Sequence, residues 1–405
     1  MLDEGLPPAL VVGLMSGTSM DAVDAALVHV DPARAGKQVK LVAFTETKID
    51  AEMRERLRLV ASGEPVPAAE ICQLDIEVGE LFAEAAMSAI REAQMEAEEV
   101  DLVASHGQTV CHISEKDEAK RWNKPATMQL GEAAVIAERT GITTVADFHV
   151  RDIAAGGKGG PIMPFAERIL FGDGSDNDLL FLTIGGISNL TLLSRSGSVL
   201  AIDTGPGNMA MDLIVQHAQQ KGFMKGEPFD EGGKIAGSGK VCEAVVEQFR
   251  NTPLMRQAPP RAFGREQFGE EFVEWIEMSM KQSDGRDVVR MADKLATACE
   301  LTAVTIADAI QTFVLEAGYR PSTVILSGGG VANACLVSRL QEHFPGLAWV
   351  PSDAYGVPHK AKDAMGFALL GYAALHRIPG NLPQATGASR PVVLGKIVPG
   401  HGACA

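Results

Sequence analysis

Three apolar runs in this chain end in glycine pairs or triplets, and they constrain its fold more than any other feature. Residues 9–14 run into Ser16-Gly17-Thr18-Ser19-Met20-Asp21, residues 179–184 into Gly185-Gly186-Ile187-Ser188-Asn189, and residues 323–326 into Ser327-Gly328-Gly329-Gly330. Short apolar runs bounded by glycine read as buried strands. In the first two cases another apolar run follows, 23–30 and 190–193, so each is a strand–glycine hairpin–strand unit. Such a hairpin wraps backbone N–H groups and hydroxyls around an anion. It differs from a P-loop, in which a helix follows the glycines. The second half thus restates the first, which predicts two similar α/β domains around a cleft that takes a nucleotide.

Between the second and third loops lies the run 199–211, VLAIDTGPGNMAM. Val199, Leu200 and Ile202 form an apolar strand with Asp203 at its C-terminal end. Gly205, Pro206 and Gly207 turn the chain, and Asn208 is placed to cap a helix starting near Met209. A turn of this kind aims backbone N–H groups at an anion, with a carboxylate beside it to order water or a metal. An ordinary strand-to-helix loop has the same composition, so on this run alone both readings stand.

Any anion must be held locally. The chain carries 36 Lys and Arg against 52 Asp and Glu, a formal charge of −16. That balance opposes nucleic acid and acidic membranes, since both need a basic field. At 405 residues the chain is long enough for two cores. Its six cysteines are scattered without a CxxC pair, as in proteins that keep their thiols reduced. No leader or membrane span is expected, and the location expected is the cytoplasm.

Helical spacing puts Leu74, Val78, Leu81 and Ala85 on one face of a helix across 67–97. Residues 291–313 and 128–141 also read as helices, the latter closed by Gly141. Strands are expected at 41–45, 100–105 and 143–147, with 100–105 delivering His106-Gly107-Gln108-Thr109. The charged run 114–125 reads as a surface excursion, and 226–239 as a glycine-rich surface stretch. GKIAGSGKV, 233–241, is not a Walker A loop: Lys234 stands where its first glycine is required, and Val241 replaces Ser or Thr. Ser105-His106 near Cys111-His112 lacks a positioned carboxylate, and reads as pocket lining or loop support rather than as a nucleophilic pair. In the segment 151–161, four glycines surround Lys158, which marks a hinge or a ligand loop; Arg151 and Lys158 read as anion contacts. Asp21 and Asp24 either cap a turn or order Mg²⁺ through water. Asp363, before a helix across 363–374, reads as an N-cap.

Taken in order, GLMSGTSMDAVD (13–24), SHGQTVCH (105–112), residues 146–161, Gly185 to Asn189, Asp203 to Asn208 and Gly328 to Asn333 resemble the motifs of anhydro-N-acetylmuramic acid kinases. That family belongs to the actin, hexokinase and heat-shock chaperone superfamily, and the resemblance runs from about Val11 to about Pro399. It implies two actin/hexokinase-like (ribonuclease H-like) domains, 1–150 joined by the tail from about 385 to 405, and 151–384. It also implies ATP and Mg²⁺ as cofactors, a small anhydrosugar as substrate, and a homodimer. The implied reaction opens the 1,6-anhydro ring of 1,6-anhydro-N-acetylmuramic acid with water and phosphorylates O6. By motif position, Asp203 would be the base. Gly17, Thr18, Ser19, Met20, Asp21 and Asp24 would hold the ATP phosphates, with Mg²⁺ near Asp21 through water. Gly185, Gly186 and Gly205 would also line the ATP site, and Gly328, Gly329, Gly330 and Asn333 would lie near the nucleoside. Gln108, Thr109, Arg151 and Asp363 would contact the sugar. The chain departs from the family pattern at Ala22 (usually glycine), Lys158 (glutamine), Gly160 (alanine) and Asp363 (a glutamate facing the sugar). A levoglucosan-type kinase shares these motifs and is an alternative, as is a nucleotide-gated binding protein without phosphoryl transfer.

Overall fold

The alternation of apolar residues in the first run has a direct structural counterpart. In the computed structural model, which describes residues 2–34, 38–113, 122–172, 174, 176–259, 261, 263–285 and 288–401, this run is strand β1 (Ala9–Ser16). Val12 and Leu14 face a core with Leu74, Val78 and Phe82 of the helix Ala68–Glu92. Gly13 points the other way, where a Cβ would lie 1.9 Å from the Ala364 carbonyl oxygen. Only glycine therefore lets the helix Lys362–Leu375 lie directly on β1. Helices thus cover both faces of the sheet, which explains why its central strands are apolar almost throughout.

Two units divide the chain: Met1–Ser175, Ser196–Val199 and Lys360–Ala405 form the first, Asp176–Arg195 and Leu200–His359 the second. The change of unit falls at Ser175 and Asp176, and the glycine-rich segment 156–160 lies inside the first unit.

The first unit continues from β1 with β2 (Ala22–Val30), β3 (Val39–Lys48), β4 (Leu102–Ile113), β5 (Ala126–Leu130) and β6 (Thr144–Ala146). β1 pairs antiparallel with β2, and β2 with β3; on its other side β1 runs parallel to β4, and β4 to β6. The strand Lys396–Val398 closes that edge on β6, and β5 pairs with β4. The second unit holds β7 (Leu179–Ile184), β8 (Ile187–Leu193), β9 (Val199–Pro206), β10 (Thr323–Ser327) and β11 (Ala348–Pro351). Their order is β11-β10-β7-β8-β9, with β7 antiparallel to β8 and parallel to β10. In each sheet the first strand is central, with the next two on one side and two later parallel strands on the other. The repeat seen in the glycine loops is therefore a repeat of topology. Leu180, Leu182, Leu190 and Ile202 form the second core with Leu295, Leu301 and Ile306 of the helix Met291–Ile310. The stretch Met291–Leu315 is long and apolar enough to cross a membrane, yet most of it is buried within this core.

Several local expectations change. Residues 128–141 are not one helix: Met128–Leu130 belong to β5, and the helix Ala133–Thr140 ends on Gly141 in the left-handed region, φ 76°. Pairing with β4 overrides local helical preference there. β4 does not stop at Ser105 but carries His106 to Thr109 within the strand. Arg151 lies on the helix Phe148–Ala154 rather than in a loop. The stretch 226–239 is not wholly surface, because the turn Lys234–Gly237 packs on the helix Met291–Ile310 with Ala236 fully buried. Of the charged run 114–125, residues 114–121 lie outside the described residues.

Candidate active site

The β1–β2 hairpin is built from both its ends. Ser16 Oγ donates to the Ala22 carbonyl at 2.9 Å and to Gln108 Oε1 at 2.7 Å. Gln108 Nε2 in turn donates to the Gly17 carbonyl at 3.3 Å. Met20 sits at φ 54°, and its side chain turns into the core of the first unit. Only its backbone is thus left for a ligand. Arg54 Nε donates to the Met20 carbonyl at 2.9 Å, and Nη2 to the Ile49 carbonyl at 3.1 Å. Ser19 Oγ donates to Asp21 Oδ1. The strained left-handed methionine is held by burial and by Arg54. Arg54 carries no signal in the sequence, since an arginine on the helix Ala51–Ala61 belongs to no motif.

Beside the hairpin is an acidic cluster. Asp24 on β2 is pushed up to about 7 by burial first, then by Glu46, Asp21 and Asp363, with Lys360 acting in the opposite sense. Lys360 Nζ donates to both carboxylate oxygens of Glu46, at 2.9 and 3.0 Å. Asp363 lies in the first turn of the helix Lys362–Leu375, but the N-cap is Ala361, so Asp363 does not cap the helix as expected. Its neighbour Lys362 donates to Glu167 at 2.8 Å, both side chains being almost fully buried, and lies 3.4 Å from Asp363. Burial works against the Lys362 charge, but Glu167 and Asp363 outweigh it and hold its pKa above the usual value.

The sugar residues expected from sequence divide. Gln108 has no exposed surface, and its amide is committed to Ser16, Gly17 and Thr109; it shapes the hairpin rather than presenting a free face. Thr109 is half-buried and accepts from Gln129 at 3.1 Å. Arg151 is exposed. Nearby, His106, His112 and His149 pack their rings together, with Phe367 against His106 and His149. Burial pushes His106 down to about 3 and His112 to about 4, so all three are neutral at pH 7, His149 being lowered by the same cause. The glycine segment 156–160 is fastened: Asp152 accepts from Gly159 N at 2.9 Å, Asn381 at 2.7 Å and Thr386 at 2.7 Å. The Lys158 amide adds a bond to the Thr386 carbonyl at 2.9 Å.

In the second unit Asp203 lies within β9 rather than at its end, and it is half-buried. Its Oδ2 accepts from the Phe263 amide at 2.7 Å. Arg261 clamps the neighbouring backbone, donating from Nε to the Asp203 carbonyl at 2.7 Å and from Nη2 to the Thr204 carbonyl at 3.1 Å. Burial pushes the Asp203 carboxyl up to about 7, while the Phe263 amide and the Arg261 charge pull it down. A carboxylate near neutral pKa is suited to accept a proton at working pH. Arg261 lies far from Asp203 in sequence and carried no signal there.

The amides that follow Pro206 are already engaged within the protein. Asn208 N donates to the Gly185 carbonyl at 2.8 Å, while Gly207 N and Met209 N donate to Gly186 at 3.0 and 3.3 Å. A Cβ at Gly207 would stand 2.1 Å from the Gly185 oxygen. The β7–β8 hairpin thus satisfies the helix N-terminus, and Asn208 makes no side-chain cap. Gly205 packs against Thr305. Gly328 N donates to the His359 carbonyl at 3.0 Å, and Gly329 and Gly330 lie against Asn208. Asn333 caps the helix Ala334–His343 through Leu336 N at 3.1 Å.

Twofold use of this strand order, with a glycine hairpin after the central strand each time, defines the actin/hexokinase-like class built on ribonuclease H-like sheets. Within that class, the family model for anhydro-N-acetylmuramic acid kinase matches residues 9–400. The chain belongs to that family. An anhydro-N-acetylmuramic acid kinase from Caldanaerobacter subterraneus subsp. tengcongensis is 38% identical over 392 residues, 96% of each chain. One from Xanthomonas campestris pv. campestris is 41% identical, covering 96% of this chain and 97% of its own. The Bacillus cereus relative of the same name is 37% identical, covering 96% and 98%.

Proposed function

We propose that this protein is an ATP-dependent kinase of 1,6-anhydro-N-acetylmuramic acid that yields N-acetylmuramic acid 6-phosphate, a peptidoglycan-recycling intermediate. The observation that carries the mechanism is Asp203, a half-buried carboxylate raised to about 7 and fixed by the Phe263 amide. Its other oxygen, Oδ1, takes a proton from water as the water oxygen bonds to C1. The C1–O6 bond breaks, and O6 takes the γ-phosphoryl group as the bond to ADP breaks. The Gly17–Asp24 hairpin holds the phosphates through backbone groups, Thr18 and Ser19, with Gln108 and Arg54 setting its shape. Gly185, Gly186 and Gly205 shape the loops around Asp203, and Gly328 to Gly330 lie by the nucleoside with Asn333 supporting them. Thr109, Arg151 and Asp363 contact the sugar, Arg151 pairing with its lactyl carboxylate.

Mg²⁺ fits the donor set beside the hairpin, which is all oxygen and includes Asp24, whose carboxyl burial and the neighbouring carboxylates push up to about 7 and a cation would pull back down. Asp21 and Asp24 would hold the ion through water, since magnesium keeps several of its waters. Bound there, it would neutralise phosphate charge. The same reading makes the protein a cytoplasmic homodimer, as the resemblance of its motifs to the family implies.

Turnover in ¹⁸O-water tests the reaction. Label is expected on O1 of the sugar product and none on the new phosphate. Label in the phosphate would mean attack by water at phosphorus, and the mechanism would fall.

A further inference from the structure

A pair of thiols in the second unit takes no part in the chemistry above. Cys299 lies on the helix Met291–Ile310, and Cys335 in the first turn of the helix Ala334–His343, which packs against it. Their sulfur atoms are 4.0 Å apart, with Cys299 Sγ–H donating to Cys335 Sγ. Cys299 is fully buried while Cys335 is half-buried, so a solvent-borne reagent meets Cys335 first. Arg339 stands one turn along the same helix and is paired with Glu300. The Cys299 hydrogen bond, then the Arg339 guanidinium, hold the Cys335 thiol below the usual range against the effect of burial. Cys299 is pushed upward by donating that bond and by burial. One thiol is therefore set up as a nucleophile, and its neighbour stands within reach to resolve it once the Cys299 proton passes to the leaving hydroxide.

We propose that Cys299 and Cys335 form a peroxide-reactive dithiol site that closes to a disulfide. The Cys335 thiolate attacks one peroxide oxygen, the O–O bond breaks, and the departing hydroxide takes a proton to leave as water. Cys335 is then a sulfenic acid. Cys299 sulfur attacks Cys335 Sγ, the S–O bond breaks, and the hydroxide leaves with the Cys299 proton as a second water. Two thiols and one hydrogen peroxide thus give one disulfide and two waters. Closing from 4.0 Å to a bond of about 2 Å ties together two helices that are already packed.

The cross-link bears on the helix that Asn333 caps, directly after Gly328 to Gly330. Its effect on catalysis rests on the kinase reading: with those glycines beside the nucleoside, the oxidised form has an ATP KM at least threefold higher. The dithiol chemistry does not depend on that reading.

The test treats the full chain with one equivalent of hydrogen peroxide, alkylates the remaining thiols, and maps peptides by mass without reductant. The expected major product is a Cys299–Cys335 cross-linked peptide that dithiothreitol reverses. In Cys299→Ser, dimedone is expected to trap the sulfenic acid at Cys335. Oxidation of Cys72, Cys111 or Cys404 while Cys299 and Cys335 are both alkylated would overturn the site in the wild-type chain, whether or not it phosphorylates a sugar. A cross-link that leaves the ATP KM unchanged would overturn its effect on catalysis.

Discussion

Asp203→Asn should separate stability from activity, because burial sets both. The carboxyl is raised from 3.8 to about 7. At about 1.36 kcal/mol per pKa unit, this shift amounts to about 4 kcal/mol against the charged form. That figure is an upper bound, because the side chain is half-buried and solvent screens it. The folded pKa lies above the unfolded one, so the folded state binds more protons between them, and stability falls as pH rises from about 4 to about 7. Asparagine keeps an acceptor for the Phe263 amide and carries no charge. The variant should therefore match the wild type below pH 4 and exceed it by about 1–2 kcal/mol above pH 7, read by denaturant unfolding at several pH values. In the same variant kcat should fall by about 10²–10⁴, the usual contribution of a general base, with ATP and sugar still bound. The wild-type kcat/KM should rise with pH along an acid limb near 7. A profile flat from pH 6 to 8, or near-normal turnover by Asp203→Asn, would refute the assignment of the base.

Arg151→Ala should raise the KM for the muramic sugar by about 10- to 100-fold, the loss of a charge-assisted hydrogen bond, with little change in kcat; steady-state kinetics on that sugar checks it. Lys362→Met leaves Glu167 buried and unpaired and should cost about 3–5 kcal/mol. The double change with Glu167→Leu should recover most of that in urea unfolding. In Gly207→Ala the new Cβ meets the Gly185 oxygen at 2.1 Å, so the β7–β8 hairpin must move; a loss of about 1–3 kcal/mol should appear as a lower Tm.

What the sequence determined by itself is local and periodic. Apolar runs ending in Gly17, Gly185 and Gly328 mark strand ends because a buried strand needs apolar residues and a tight turn needs glycine, and their repetition foretold two sheets of one topology. The order of the motifs likewise pointed to the family to which the chain belongs. Which atoms are free and which are spent was settled only by tertiary structure. The turn after Asp203 reads as an anion cradle in one dimension, yet the Gly185 and Gly186 carbonyls already occupy the amides of Gly207, Asn208 and Met209. Gln108 read as a sugar contact, yet its amide is consumed in shaping the hairpin. Arg54, Arg261 and the Lys362–Glu167 pair carried no sequence signal, because each acts on a backbone carbonyl or a carboxylate distant in the chain. The raised pKa values of Asp203 and Asp24 follow from burial and neighbouring charge. Those are properties of packing in three dimensions, and residue order alone does not contain them.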